Sequence, residues 1–141
     1  MSVEYTTRAR RERIVQAMVQ HTGVNQAMIR ALVHAFYTKI RRDPELGPIF
    51  ETAIDDWDAH LEKLCDFWSS VMLMSGRYKG NPTLAHMQLE LIRPEHFERW
   101  LALFRETAVE ICPGEAAAAF AQRAENIAKS LRTKIFCRPA E

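Results

Sequence analysis

Five histidines, His21, His34, His60, His86 and His96, are the side chains best able to bind a metal or move a proton near neutral pH. No two stand at the i, i+4 spacing that clamps zinc on one helix, and no His-Glu-x-x-His occurs. The three cysteines, Cys65, Cys112 and Cys137, form no Cys-x-x-Cys and are odd in number. A disulfide scaffold and a cysteine zinc site are therefore disfavoured, and a reducing compartment is expected. No Ser, Cys or Lys stands in a nucleophile motif, and no glycine-rich loop follows a strand. Hydrolase, kinase and dinucleotide chemistry are thus unsupported. What remains is a set of aromatics on apolar stripes, Phe36, Tyr37, Phe50, Phe67, Trp68, Phe97, Trp100 and Phe104, with His60 and His86 a helix and a loop apart.

These residues must be positioned by helices, because the hydrophobic period is helical nearly throughout. Residues 7–20 read as a charged amphipathic helix closed by Gly23. Asn25 is an N-cap for a helix to about Arg42, with Ile29, Leu32, Val33, Phe36 and Ile40 as its stripe. Asp43-Pro44 stops it. Two prolines and a glycine in 43–55 predict a tight corner with at most a turn of 3₁₀ helix. A third helix covers about 56–75, with Trp57, His60, Leu61, Leu64, Phe67, Trp68 and Val71 on its apolar face and Gly76 as its end. A loop at 76–82 leads to a short helical piece, about 83–90, that carries His86. Pro94 fits the first turn of the next helix, whose stripe holds Phe97, Trp100, Leu101, Phe104, Ala108 and Ile111. Pro113-Gly114 separates it from a last helix, about 115–133, with Phe120, Ala124, Ile127 and Leu131 inward.

The class is all-α and the size one domain: 141 residues, 48% hydrophobic and 26% charged, close a single core. Nineteen basic against eighteen acidic residues give +1, which argues against a nucleic-acid partner. No apolar run approaches the roughly 18 residues of a membrane span. The start, Met1-Ser2-Val3-Glu4, has no apolar signal core, so a cytoplasmic protein is expected.

An apolar pocket with one imidazole on each side suits a flat, largely apolar cofactor bound through its metal. Haem iron is commonly held by one histidine, and the polarity of the opposite pocket sets its reactivity. At this point the sequence resembles a known family. The run FYTKIRRDPELGPIFETAIDDWDAHLEKLCDFWSSVML (36–73), YKGNPTLAH (78–86) and PEHFERWLALF (94–104) are similar to group III truncated haemoglobins. The combined motifs are Phe-Tyr, Asp-Pro-x-Leu-Gly-Pro-Ile-Phe, Trp-x-x-His, Phe-Trp, Tyr-x-Gly-x-Pro with a His four residues on, and Arg-Trp-Leu. The likeness covers about residues 28–132, and the glycine pairs of the other truncated groups are absent.

The resemblance implies a truncated globin fold, a two-over-two helical sandwich, over residues 25–135, with an N-terminal helical extension (1–24) and a tail (136–141). It implies haem b (iron protoporphyrin IX), with His86 as proximal iron ligand. It implies Tyr37 and Trp100 as distal hydrogen-bond donors and His60 in the distal histidine position. Phe50, Leu64, Phe67, Trp68 and Phe97 match haem-packing positions. The expected partners are O₂, CO and NO, with an external reductase for any redox cycle, since one domain leaves no room for a flavin or nicotinamide module.

Elementary chemistry agrees with the resemblance. A diatomic ligand with negative charge on its outer atom is stabilised by a phenol O–H and an indole N–H aimed at it. Bulky walls, Phe36, Phe67, Trp68 and Trp100, leave His60 as the expected gate for ligand entry. Each reading has a structural alternative. Tyr37 and Trp100 serve equally as core aromatics, His60 as a satisfied core histidine, and Cys65 as a small buried hydrophobe. Cys137 lies in the tail, where a thiol is open to oxidation. His21, His34 and His96 read as surface residues, and Arg8, Arg10, Arg11 and Arg13 as a solvated face. Three functions compete: O₂ binding, turnover of peroxide or nitric oxide in the same pocket, and a haemless interaction module that docks through the first helix.

Overall fold

The computed structural model describes residues 3–80 and 92–136, with side chains from Thr7 onward. Six helices occupy them: α1 (Val3–Thr22), α2 (Gln26–Arg42), α3 (Leu46–Ala53), α4 (Trp57–Leu73), α5 (Pro94–Ile111) and α6 (Gly114–Phe136). No strand occurs among the described residues. The short helical piece expected at 83–90 lies outside them, as does Cys137.

The helix starts follow local chemistry. The Asn25 side chain accepts from the Met28 N–H at 2.9 Å, and that of Asp56 accepts from the Ala59 N–H at 3.1 Å. Each satisfies one donor that a helix start leaves open. Gly23 ends α1 at φ 76°, where an L-residue would be strained. α4 ends earlier than Gly76 suggests, at Leu73, because Met74 already takes the left-handed conformation at φ 54°.

α2 packs against α4 and α5, and α5 folds back on α6 through the Cys112-Pro113 turn. Two helix pairs are thus laid one over the other, and α1 joins them by packing on α4 and α6. Met18, near the end of α1, reaches the core cluster, while Arg8, Arg10, Arg11 and Arg13 stay exposed. The core centres on Phe36, Phe104, Phe120, Ile29, Leu32 and Ile40, each below 2% exposure.

The corner at 43–55 differs from the expectation. It contains an eight-residue α-helix, α3, where a turn of 3₁₀ helix was expected. Pro48 is in its first turn, where the missing N–H has no partner to lose. Gly47 is required by contact: a Cβ there would stand 2.7 Å from the Arg41 carbonyl oxygen.

Asp43 holds this corner together. Its carboxylate accepts from the Glu45 and Leu46 N–H groups at 3.1 and 2.9 Å and from Arg99 Nε on α5 at 2.9 Å. Burial alone would push this carboxyl up. The Arg99 guanidinium and the two backbone donors outweigh burial and hold it below the ordinary carboxylate range.

Asp43→Ala unties α2, α3 and α5 at one point and leaves buried donors unmatched, so urea unfolding should show a loss of about 1–3 kcal/mol. The folded-state carboxyl ionises more readily than the unfolded one. Its contribution is therefore complete above the unfolded value, about 3.9, and is lost as pH falls through the folded value. The stability gap between wild type and variant should be flat down to about pH 4 and close below it. A gap that persists in strong acid would mean that packing, not charge, accounts for the loss.

Candidate functional site

A cavity opens between α4 on one side and α5 and α6 on the other, with α2 and α3 across its end. Its empty space is about 910 Å³ including the open mouth. Tyr37 lines it from α2, Phe50 from α3, and Phe97 and Trp100 from α5. His60, Leu64, Phe67 and Trp68 line it from α4, with Ile127, Ala128 and Leu131 opposite on α6. The structure therefore brings together all eight sequence-derived site residues that it describes. His86 lies outside the described residues.

The α4 wall follows from helical spacing. His60, Lys63, Leu64 and Phe67 fall at i, i+3, i+4 and i+7 and share one face. Leu64 and Phe67 are apolar yet only half-buried, because this face meets the cavity instead of a packed partner.

The inner wall is aromatic. Trp68, Phe104 and Trp100 form a stack across α4 and α5, with centroids 5.1 and 5.5 Å apart and both interplanar angles 18°. Phe36, expected as a cavity wall, stands behind it instead. It is 1% exposed and packs edge-on against Tyr37, Trp100 and Phe104. Neighbouring positions on a helix point about 100° apart, so when Tyr37 faces the cavity Phe36 faces the core.

Polar groups are few and specific. Burial pushes the Tyr37 phenol up to about 12, against the opposite pull of the nearby Trp100 indole N–H. That N–H is itself buried and has no acceptor in hydrogen-bond geometry. His60 is half-buried, its ring edge-on to Tyr37 at 5.7 Å and to Trp57 at 5.6 Å. Among the described lining residues Lys63 is the one Lys, Arg, Asp or Glu, and it is exposed.

Several lining residues escape the sequence reading. His96 is buried, not on the surface, because its Nδ1 accepts the Arg93 N–H at 2.9 Å and so caps α5. Its place at N3, two residues after Pro94, is the signal that could have found it. Tyr78 lies edge-on to Phe67 at 5.2 Å, its N–H donating to Ser70 Oγ at 2.9 Å. Burial raises its phenol as well. His21 and His34 are exposed as expected, and Cys65 is buried as expected.

An apolar cavity walled by aromatic rings, with an indole N–H that has no acceptor in hydrogen-bond geometry and a protonated phenol beside it, fits a flat apolar group. A model of the bacterial-like globin family matches residues 17–133. The chain belongs to that family. It is 36% identical over 117 residues to group 3 truncated hemoglobin ctb of Campylobacter jejuni, covering 80% of this chain and 92% of that one. The crystal structure of the group III truncated hemoglobin from Campylobacter jejuni superposes with a TM-score of 0.77 at 35% identity, covering 84% of this chain and 96% of that one. The two-over-two fold and the haem-binding globin class rest on these matches together. The match begins inside α1, whose last residues are those that reach the core of this globin. Among the described residues no helix is long and apolar enough to cross a membrane.

The buried phenol gives a direct check. Tyr37 ionises near 12 when folded and near 10 when unfolded, so it should stay silent in an ultraviolet tyrosinate titration up to about pH 11. The folded group has the raised value, so stability falls as pH climbs above about 10. Tyr37→Phe should leave the titration below pH 11 unchanged and remove that share of the alkaline loss. A smaller tyrosinate signal in the variant at about pH 10 would show that the hydroxyl is open to solvent.

Proposed function

We propose that this globin binds haem b through His86 and holds O₂, CO or NO in the cavity under Tyr37, Trp100 and His60. The observation that carries the reading is the meeting of the Tyr37 phenol and the Trp100 indole N–H in the wall of an otherwise apolar cavity. Phe50, Leu64, Phe67, Trp68 and Phe97 would pack the macrocycle. The iron, once bound, supplies the bond to the diatomic ligand. Any redox cycle would draw its electrons from an external reductase, and a cytoplasmic setting suits the free thiols.

The chain's own residues do the discriminating. Trp100 is held by its stack on Phe104, so its N–H, beside the Tyr37 phenol, would serve as a donor without reorganisation. Tyr37 is wedged by Phe36 at 4.9 Å and Phe50 at 6.0 Å and keeps its proton over the whole physiological range. Both donors sit in a low-dielectric wall, which strengthens a hydrogen bond to a partly charged acceptor. O₂ offers such an acceptor and CO offers a weaker one.

A visible spectrum of the purified protein decides first. A Soret band is expected, and it should be lost or altered in His86→Ala; a spectrum identical to wild type in every oxidation state would overturn the ligand assignment. Next, Trp100→Phe and Tyr37→Phe should each speed O₂ dissociation about tenfold, from loss of one charge-assisted bond. CO dissociation should change less. Equal changes for both gases would mean that the two residues act by shape.

A further inference from the structure

Trp57, three residues before His60, has no role in the site as described so far. Asp56 caps α4 and so fixes Trp57 at its first position, with His60 one turn on along the same side. Trp57 is half-buried and meets His60 ring to ring at 5.6 Å and 89°, and Tyr37 at 6.3 Å. Arg41, from the last turn of α2, lies over the indole, its guanidinium 4.5 Å from the ring centroid. Arg41 Nε donates to Glu51 on α3 at 2.9 Å. The Arg41 guanidinium holds the Glu51 carboxyl below its ordinary range.

We propose that Arg41 is a positioning residue which, through Trp57, holds the His60 imidazole at the cavity mouth. This rests on the reading of the cavity as the haem site. Three helices converge on the indole. α3 supplies a carboxylate that orients the guanidinium, α2 supplies the guanidinium that lies on Trp57, and α4 carries Trp57 and His60. His60 is thereby penned between two aromatic edges, Trp57 on the outside and Tyr37 on the inside. For the imidazole to swing outward, Trp57 must shift, and Trp57 cannot shift without breaking the cation–π contact. The outermost link is ionic and about half exposed, 47% for each partner, so salt weakens it while leaving the apolar core untouched.

The test reads ring-to-ring cross-relaxation from His60 to Trp57 and Tyr37 by proton NMR, with His60→Gln used for assignment. Arg41→Met keeps the aliphatic bulk and removes the cation. Glu51→Gln releases Arg41 and also removes the carboxylate that the Trp57 indole meets, so Arg41→Met is the arm that isolates the cation, and Arg41→Lys restores a cation over the indole. The contacts should weaken in Arg41→Met and Glu51→Gln, and in wild type at about 1 M salt, where the Debye length is about 3 Å. They should return in Arg41→Lys. CO association should quicken by about two- to fivefold in Arg41→Met, the range of an exposed cation–π contact, with a second C–O stretching band in the infrared. Unchanged ring contacts in Arg41→Met and at high salt overturn the proposal, and so do altered contacts with unaltered CO association. The ring contacts are read on the protein as purified, so a missing Soret band would sink the haem reading while the clamp itself is still measured.

Discussion

The stack of Trp68, Phe104 and Trp100 is the contact on which the remaining geometry depends. An apolar cavity survives only if its walls are held by something other than each other, because apolar surfaces close on any space they can fill. Three nearly parallel rings from α4 and α5 set the distance between those helices. Phe120 on α6 leans on the same tryptophan at 5.9 Å, and Phe36 on α2 closes the back. Each aromatic pair adds about 0.5–1.5 kcal/mol beyond the area it buries, and the series ties four helices to one slab. The cavity lies on the open side of that slab.

Two different kinds of tie then fix the ends of the site. At the inner corner Asp43 is buried and saturated: two backbone donors and Arg99 occupy its oxygens, so α2, α3 and α5 cannot move separately. At the mouth, Arg41 and Glu51 are half in water, and a pair of that kind is worth little in net stability. The contrast is mechanically sensible. The inner end is tied through a buried carboxylate with three donors, and the mouth is held by a contact cheap to break.

Much of this was legible in the sequence, and the failures have physical causes. Helical spacing on α4 and α5 placed His60, Leu64, Phe67, Trp68, Phe97 and Trp100 on the faces that meet, because each lies within one periodic element. α3 was not legible. Gly47 and Pro48 look like breakers, yet the proline occupies a first turn and the glycine answers to the Arg41 carbonyl, a contact made only in three dimensions. Asp43 read as a helix stop, since its partner Arg99 is 56 residues away. His96 read as a surface residue by type, although its ring is turned back onto its own helix start. Phe36 and Tyr37 share a stripe, and periodicity alone could not say which of two neighbours faces the cavity.

The same polar groups that give the site its chemistry weaken the fold that carries them. A buried N–H without an acceptor, such as that of Trp100, costs about 1–3 kcal/mol, a large share of a small domain's total stability. The half-exposed Leu64 and Phe67 leave further apolar surface unburied on the same face. An occupant with an apolar face and a bound acceptor offsets both deficits at once, and whatever binds only the folded chain stabilises it in proportion to its affinity. Folding and cofactor binding are therefore one linked equilibrium in this globin. The aromatic slab, whose Trp68 and Trp100 line the cavity, and the Asp43 joint beyond it are held by contacts between helices and need no occupant to stand.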